Sequence, residues 1–214
     1  MRKGAVSAFF FVLILRYDGG IEFVANRGRG VINQFGFYQG GKQIASPFFN
    51  DRPDGCAVNL LVIHCISLPQ GDYGGPAIEQ LFSGCLDCSA DPSFADLAGL
   101  EVSAHCVIRR DGSVEQYVSF EKRAWHAGVS SFAGVAACND YSIGIELEGT
   151  DTTDYTQAQY RALVALTAEL QARYPAITKQ RIVGHSDIAP GRKSDPGSGF
   201  DWGYYFGLLA GAIS

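Results

Sequence analysis

The stretch Gly184-His185-Ser186-Asp187-Ile188-Ala189-Pro190-Gly191-Arg192-Lys193-Ser194-Asp195-Pro196 follows a short apolar run, Arg181-Ile182-Val183. The apolar run is typical of a β-strand, and the prolines and glycines after it predict a loop. His185 stands at the strand end, and Lys193 and Asp195 follow eight and ten residues later. Side chains that carry chemistry are commonly placed on loops that leave strand ends. We therefore take this strand end and its loop as the stretch around which the chain is organised.

A second histidine, His64, ends another apolar run, Asn59-Leu60-Leu61-Val62-Ile63. A lone histidine in an apolar strand is usually a hydrogen-bonded core residue, and this holds for His64 and His185 taken singly. Their combination with Asp195 is more specific, because two histidines and one carboxylate form a catalytic zinc set with one position open. Zinc bound by neutral imidazoles and one carboxylate keeps a net positive charge, so it polarises a carbonyl and acidifies a water.

Residues 141–148 form a predicted strand with two different faces. Glu146 and Glu148 lie on one face, and the aliphatic residues lie on the other. Glu146 is the candidate general base beside a metal-bound water, and Glu148 is the competing candidate. Lys193 is the candidate that supplies positive charge where an oxyanion develops. The alternative for each of these charged side chains is a solvated surface residue.

Trp125 and His126 interrupt the regular pattern and are candidates for the wall of a cleft that contacts sugar or peptide. His105 is assigned to a hairpin and receives no role. Cys65 directly follows a histidine, but neighbouring strand residues face opposite sides, so it does not form a catalytic Cys-His pair. The motif Cys85-x-x-Cys88 is half of a structural zinc site without a second half; the alternative is that the six cysteines are ordinary thiols.

Composition suits a single soluble domain. The chain has 214 residues, of which 47% are apolar and 18% are charged. A net charge of −5 gives no reason to expect nucleic-acid binding. We find no repeats and no linker that would divide residues 33–214, which we expect to form one domain.

Local signals predict helices and a hairpin. Asp111-Gly112 joins two predicted strands, 102–109 and 113–118. Thr156 and Gln159 form a capping box that opens a helix to about Arg173. Pro76, at a first-turn position, opens a short helix, and a weaker helix begins near Asp201. The predicted fold class is α/β (α+β), a mixed sheet with helices packed on it.

The N-terminal segment, residues 1–32, is treated as an extension. Arg2 and Lys3 precede an apolar run, 5–15, which resembles a signal peptide but lacks a clean cleavage site. The run is too short for an ordinary membrane-spanning helix. An export signal, a short membrane tether and an extension without its own fold remain open, and we favour the extension.

Specific motifs cover most of the chain between Phe37 and Trp202. They are Leu61-Val62-Ile63-His64 with Ile66-Ser67-Leu68-Pro69 and Gly74-Gly75-Pro76; Val102-Ser103-Ala104-His105; Arg109-Arg110-Asp111-Gly112; Lys122-Arg123-Ala124-Trp125-His126-Ala127-Gly128; Asn139-Asp140 with residues 142–150; and the loop 184–196. With these motifs the chain resembles the type-2 family of zinc-dependent N-acetylmuramoyl-L-alanine amidases. The resemblance is closest to the cytoplasmic 1,6-anhydro-N-acetylmuramyl-L-alanine amidases of cell-wall recycling.

The resemblance implies a mixed central sheet flanked by helices, with a groove across a Zn²⁺ ion. His64, His185 and Asp195 would be the zinc ligands, Glu146 rather than Glu148 the catalytic carboxylate, and Lys193 the oxyanion partner. The implied reaction is hydrolysis of the amide between the lactyl group of N-acetylmuramic acid and L-alanine of the stem peptide. Expected substrate contacts are Cys65, Trp125, His126 and Asn139.

The chain departs from the family pattern at three positions. Cys65 stands where the recycling enzymes usually have Asn, and Glu101 and Ala137 stand where they usually have Arg. Those arginines are associated with holding the acidic end of the stem peptide. Their loss disfavours a carboxylate there, so an amidated or differently branched stem is one hypothesis.

Alternatives remain for function and location. A non-catalytic peptidoglycan-binding module of the same fold would have lost a ligand, and a different metallopeptidase would lack the motif set. We expect a cytoplasmic monomer that acts on muropeptides, without nucleic acid and without stable membrane association. If residues 1–32 act as a signal, the location would be periplasmic or exported.

Overall fold

Two parallel strands form the centre of the sheet, β3 (Leu60–Ile66) and β9 (Ser142–Glu148). Their apolar residues account for the burial of both, as expected for strands covered on each face. The register pairs His64 with Glu146. Because paired residues of parallel strands face the same side, the candidate ligand and the candidate base are neighbours on one face.

The computed structural model describes residues 32–213. Six strands form the main sheet in the order β1-β5-β4-β9-β3-β10, with all neighbouring pairs parallel except β4 with β5. Two small pairs, β2 with β6 and β7 with β8, lie outside it. The remaining strands are β1 (Lys42–Gln43), β2 (Phe49–Asn50), β4 (Cys106–Ile108), β5 (Val114–Gln116), β6 (Arg123–Ala124), β7 (Ser131–Phe132), β8 (Val135–Ala136) and β10 (Ile182–Gly184).

Four helices accompany the sheet in the described chain: α1 (Ala77–Phe82), α2 (Gln157–Arg173), α3 (His185–Ile188) and α4 (Trp202–Ile213). The predicted capping box opens α2, with the Thr156 hydroxyl accepting from the Gln159 amide. The aliphatic face of β9 packs on α2 and α4 through one continuous core, which includes Ile145, Leu163 and Tyr205. This core fixes the sheet from behind and leaves its other face for the site.

The predicted mixed α/β fold is confirmed, with corrections at element ends. The strand predicted over 102–109 is only three residues long; before it, the Ser103 amide donates to the Trp125 carbonyl, which lies outside the main sheet. Pro76 is the N-cap of α1 rather than a first-turn residue. The predicted extension, residues 1–32, lies outside the described residues except for its last position. Across 32–213, no helix combines the length and apolarity needed to span a bilayer.

Candidate active site

Three side chains from distant parts of the sequence meet at the carboxyl ends of β3 and β10. His64 lies near the end of β3, His185 directly follows β10, and Asp195 lies on the loop after α3. The Nδ1 atoms of His64 and His185 are 3.0 Å apart, and Asp195 Oδ2 lies 3.0 and 3.1 Å from them. The predicted ligand set is therefore assembled, and it is the one group of metal-type donors found among residues 32–213.

Each imidazole has a hydrogen-bond partner at its other nitrogen. His185 Nε2 lies 3.1 Å from the carbonyl oxygen of Ala127, which can only accept, and 3.4 Å from Arg192 Nη2, which can only donate. The shorter contact assigns the proton to this nitrogen. His64 Nε2 lies 2.9 Å from Nδ1 of His126. Burial lowers the pKa of His64 to about 4, so the ring is neutral near pH 7. A neutral imidazole with Nε2–H presents an unprotonated Nδ1 to the site.

The donor set fits a zinc ion. Two unprotonated Nδ1 atoms and a carboxylate oxygen all carry lone pairs, so close approach without a cation between them is unfavourable. Tetrahedral zinc with nitrogen and oxygen ligands at about 2.0–2.1 Å sets neighbouring donors roughly 3.3 Å apart. The observed spacing of 3.0–3.1 Å is close to that value. Contacts with the two imidazoles hold the pKa of Asp195 below its usual range despite burial, which keeps the carboxylate ionised.

The loop that carries Asp195 lies directly on the turn at 150–153. Asp151 joins them, because its carboxylate accepts from the Ser194 hydroxyl and its carbonyl accepts from the Gly199 amide. A Cβ added at Gly197 would lie 2.1 Å from the Asp151 carbonyl oxygen. Only a residue without a side chain permits this approach, so the loop conformation is fixed by backbone contact as well as by hydrogen bonds.

Glu146 lies beside the donor set without a partner of its own. Its Oε2 atom is buried and has no hydrogen-bond partner among the described residues. Burial raises the pKa of Glu146 well above its ordinary value, the negative charge of Asp195 raises it further, and Lys193 opposes both. An unpartnered carboxyl group that points into a cleft is available for proton transfer.

Glu148, the competing candidate, accepts hydrogen bonds from three neighbouring groups of the protein. Its carboxylate accepts from the Gly74 amide at 2.7 Å, from Arg109 Nη1 at 3.0 Å and from the Arg110 amide at 3.1 Å. The side chain is almost fully buried and lies among segments away from the donor set. Its acceptor capacity is therefore occupied, and the structure favours Glu146 as the reactive carboxylate.

A cavity of about 270 Å³ opens over the three donors and also contacts Glu146 and Lys193. Trp125 and His126 line it, as the sequence predicts for a cleft wall, and Cys65 borders it. Aliphatic and aromatic side chains form the rest of the wall, among them Ile66, Leu68, Leu81, Phe82, Leu97, Leu100 and Val102. A larger apolar cavity of about 680 Å³, near Phe35 and Phe49, contains none of the donors. The chemistry therefore belongs to the smaller cavity.

Asn139 and Cys65, two of the expected substrate contacts, hydrogen-bond to other parts of the protein. Asn139 is buried beneath the cavity wall, where its carboxamide oxygen accepts from the amides of His126 and Ala127 at 3.1 and 2.8 Å. It therefore holds the two residues that hydrogen-bond to His64 and His185. Cys65 borders the cavity, and its thiol donates to the Asp151 carboxylate at 3.3 Å.

Sequence reasoning missed two residues that organise the site. Arg192 donates to the carbonyls of Ala127 and Val129 at 2.6 and 2.8 Å. These bonds connect the loop that carries Asp195 to the cavity wall. Ser142 lies 3.1 Å from His126 Nε2. The signal for Ser142 was present in the alternation of β9, since it shares a face with Gly144 and Glu146.

Comparisons with known proteins agree with this geometry. The sequence profile of a family described as N-acetylmuramoyl-L-alanine amidase matches residues 54–198. The 1,6-anhydro-N-acetylmuramyl-L-alanine amidase AmpD of Enterobacter cloacae is 56% identical over 174 residues, which cover 81% of this chain and 92% of that protein.

Solved structures give the same result. A crystal structure of a selenomethionine derivative of AmpD is 55% identical, covers 82% of this chain and 97% of that chain, and superposes with a TM-score of 0.80. The Escherichia coli amidase AmiD, in complex with the substrate anhydro-N-acetylmuramic acid-L-Ala-D-γ-Glu-L-Lys, is 30% identical. That match covers 73% of this chain and 60% of the AmiD chain, with a TM-score of 0.53.

Proposed function

The chain belongs to the N-acetylmuramoyl-L-alanine amidase family and is an amidase, and from that premise we propose its substrate and its metal. The substrate is a 1,6-anhydro-N-acetylmuramyl peptide released during cell-wall recycling. The bond cleaved is the amide between the lactyl carbonyl and the nitrogen of L-alanine. The reaction depends on Zn²⁺ bound by His64, His185 and Asp195.

One observation carries the zinc proposal. Three donor atoms lie within 3.1 Å of one another, while the Nε2 atoms of both imidazoles have hydrogen-bond partners elsewhere. Zinc held by these donors would supply a Lewis acid that polarises the lactyl carbonyl and acidifies a water. The partnerless Oε2 of Glu146 beside them supports its assignment as the base.

Each step of the hydrolysis is assigned to particular residues of this chain. The Glu146 carboxylate takes a proton from the attacking water, whose oxygen bonds to the lactyl carbonyl carbon as the carbonyl oxygen becomes negative. Lys193 places its ammonium charge on the cavity side where the carbonyl oxygen becomes negative. When the C–N bond breaks, Glu146 returns the proton to the alanine nitrogen, which leaves as an amine, and the lactyl group becomes a carboxylate. Trp125 and the aliphatic wall limit access of bulk water.

Metal analysis combined with turnover tests this proposal. We expect about one zinc per chain. We also expect conversion of anhydro-N-acetylmuramyl-tripeptide to the free sugar and tripeptide, measured by liquid chromatography and mass spectrometry. Chelation should abolish turnover, and added zinc should restore it. Undiminished turnover of the metal-free protein would contradict zinc dependence, and turnover only of non-anhydro substrates would contradict the substrate assignment.

The stem-peptide preference is a separate proposal. Glu101 is exposed and lines a groove that shares Leu81, Leu97 and Leu100 with the catalytic cavity, whereas Ala137 is exposed on the turn before β9. A negative charge at Glu101 disfavours a stem carboxylate in that groove. We expect amidated stems to be turned over better than free acids, and a clear preference for the free acid would contradict this.

Location and assembly are also proposed. We propose a cytoplasmic monomer without stable membrane association, in which residues 33–214 form the amidase domain and residues 1–32 an extension. Sequencing the mature N-terminus and measuring the mass in solution test this. A shortened N-terminus in an exported fraction would contradict the cytoplasmic location.

A further inference from the structure

The histidines of this chain form a continuous run of rings. The chain contains four histidines. Ring centroids are 4.5 Å apart for His185 and His64, 5.0 Å for His64 and His126, and 5.7 Å for His126 and His105. Two of them, His64 and His185, are in the donor set. His126 is therefore placed between a proposed metal ligand and the interior of the sheet.

The proton positions on His126 and His64 can be derived from the hydrogen bond of the Ser142 hydroxyl. The Ser142 hydroxyl donates to the Cys138 carbonyl at 2.6 Å, so its oxygen is left to accept. His126 Nε2, 3.1 Å from that oxygen, must therefore be the donor. The neutral His126 ring then has an unprotonated Nδ1, which accepts from Nε2–H of His64 at 2.9 Å. The result is one consistent direction of donation, from His64 through His126 and Ser142 to a backbone carbonyl.

The sheet is shaped to admit the His126 ring. Gly144 lies on β9 on the same face as Glu146. A Cβ added at Gly144 would lie 2.4, 2.5 and 2.8 Å from Cγ, Nδ1 and Cδ2 of His126. These distances are shorter than any normal contact. The ring could not move aside without losing its hydrogen bonds to His64 and Ser142. The absence of a side chain at position 144 is therefore what allows the ring to lie against the strand.

We propose that His126 is a positioning residue for the metal site rather than a substrate contact. The absence of a side chain at Gly144 leaves the space that the His126 ring occupies. His126 fixes the orientation of the His64 ring and keeps the proton on Nε2, so that Nδ1 presents its lone pair to the ion. Ligand histidines are commonly held in this way, and loss of the partner typically lowers metal affinity by about 10–100-fold. The inference rests on the proposed zinc dependence but is testable without it.

The metal-free protein tests the hydrogen bond itself. With ¹⁵N-labelled histidine, we expect the His64 proton on Nε2, protected from exchange, with a ¹⁵N–¹⁵N coupling to His126 Nδ1. The His126→Leu variant should lose both signals, whereas a merely structural role for His126 would lower thermal stability without affecting the His64 proton. A wild-type spectrum with the proton on His64 Nδ1, or on His126 Nδ1, would overturn the inference even if the enzyme is zinc-dependent.

Zinc affinity, measured by competition with a chelator, tests the consequence. We expect His126→Leu and Gly144→Ala each to weaken zinc binding by about 10–100-fold. His126→Asn, whose amide oxygen can replace Nδ1 as the acceptor, should lose less. Trp125→Phe is the matched control, because Trp125 adjoins His126 and lines the same cavity but bonds Asn50 instead of a ligand.

The outcomes separate the two proposals. Wild-type affinity in folded His126→Leu would overturn the positioning role while leaving zinc dependence intact. If Trp125→Phe weakens zinc binding as much as His126→Leu, the effect is general to the cavity wall and the inference fails. If the wild type binds no zinc, the function proposed above fails, and the labelled spectra alone then decide the hydrogen bond. If Gly144→Ala does not fold, the two His126 variants carry the test.

Discussion

Glu146 and Glu148 lie two residues apart on the same face of one strand, yet their surroundings differ completely. Glu148 is 1% exposed and accepts from two backbone amides and from Arg109. Glu146 is 9% exposed, and its Oε2 has no partner in the described structure. Hydrogen bonds and an ion pair occupy the acceptor oxygens of Glu148, whereas burial raises the pKa of Glu146. The comparison supports the proposal that the carboxylate without a partner is the reactive one.

The largest expected effect comes from Glu146→Gln. This change removes the proton acceptor while keeping shape, so we expect kcat to fall by about 10²–10⁴-fold. The zinc content, and the thermal transition of the zinc-bound protein, should stay near those of the wild type. Turnover measured with anhydro-muramyl-tripeptide checks the loss, and Glu148→Gln is the control. If activity per folded molecule falls more for Glu148→Gln, the assignment of the base is wrong.

Lys193→Met is expected to have the next effect. Lys193 adjoins the same cavity as Glu146, and its charge opposes the rise of the Glu146 pKa. Loss of an oxyanion-stabilising group typically lowers kcat by about 10²–10³-fold. Steady-state kinetics should show the loss mainly in kcat, and Lys193→Arg should recover part of it. A change confined to KM would instead indicate substrate binding.

Glu148→Gln should act on stability. It leaves Arg109 with Glu115 as its remaining charged partner and weakens the acceptor for two amides. We expect the free energy of unfolding to fall by about 1–3 kcal/mol, the usual range for a hydrogen bond to a charged group. Urea denaturation of the metal-free protein measures it. Unchanged stability would mean that this carboxylate is not the structural member of the pair.

The smallest effect is a pH dependence in the metal-free protein. Because the pKa of Glu146 is raised in the folded state, the native chain holds a proton that the unfolded chain has released. Stability of the wild type should therefore fall, relative to Glu146→Gln, as pH rises from about 4, the ordinary range of glutamate. Denaturant midpoints of both proteins across pH values check the sign. A difference that shrinks with rising pH would contradict the unpartnered environment.

The sequence predicted those features whose causes are local. The capping box at Thr156 and Gln159 and the alternation in β9 each depend on residues close in the chain, and both are found in the structure. The donor set was predicted because His64 and His185 both stand at strand ends, which adjacent parallel strands bring together.

Other features depend on partners far away in the sequence. Alternation placed Glu146 and Glu148 on one face but could not separate them, because Arg109 and the Gly74 amide reach only one of them. The position of Asn139 under the cavity wall was missed for the same reason, since its partners are backbone amides of another segment. Residue type alone does not show whether a polar side chain meets substrate or backbone.

The contact between Gly197 and the Asp151 carbonyl bears on how the proposed zinc would be bound and released. A loop that already contacts a neighbouring turn would need little rearrangement to receive the ion, so the loop should keep its conformation when the ion is removed. Lengthening the 150–153 turn by a single residue would lift that support and misplace Asp195 without altering any ligand. Sequence changes in the 150–153 turn would therefore alter how tightly the proposed zinc is retained without any substitution inside the cavity.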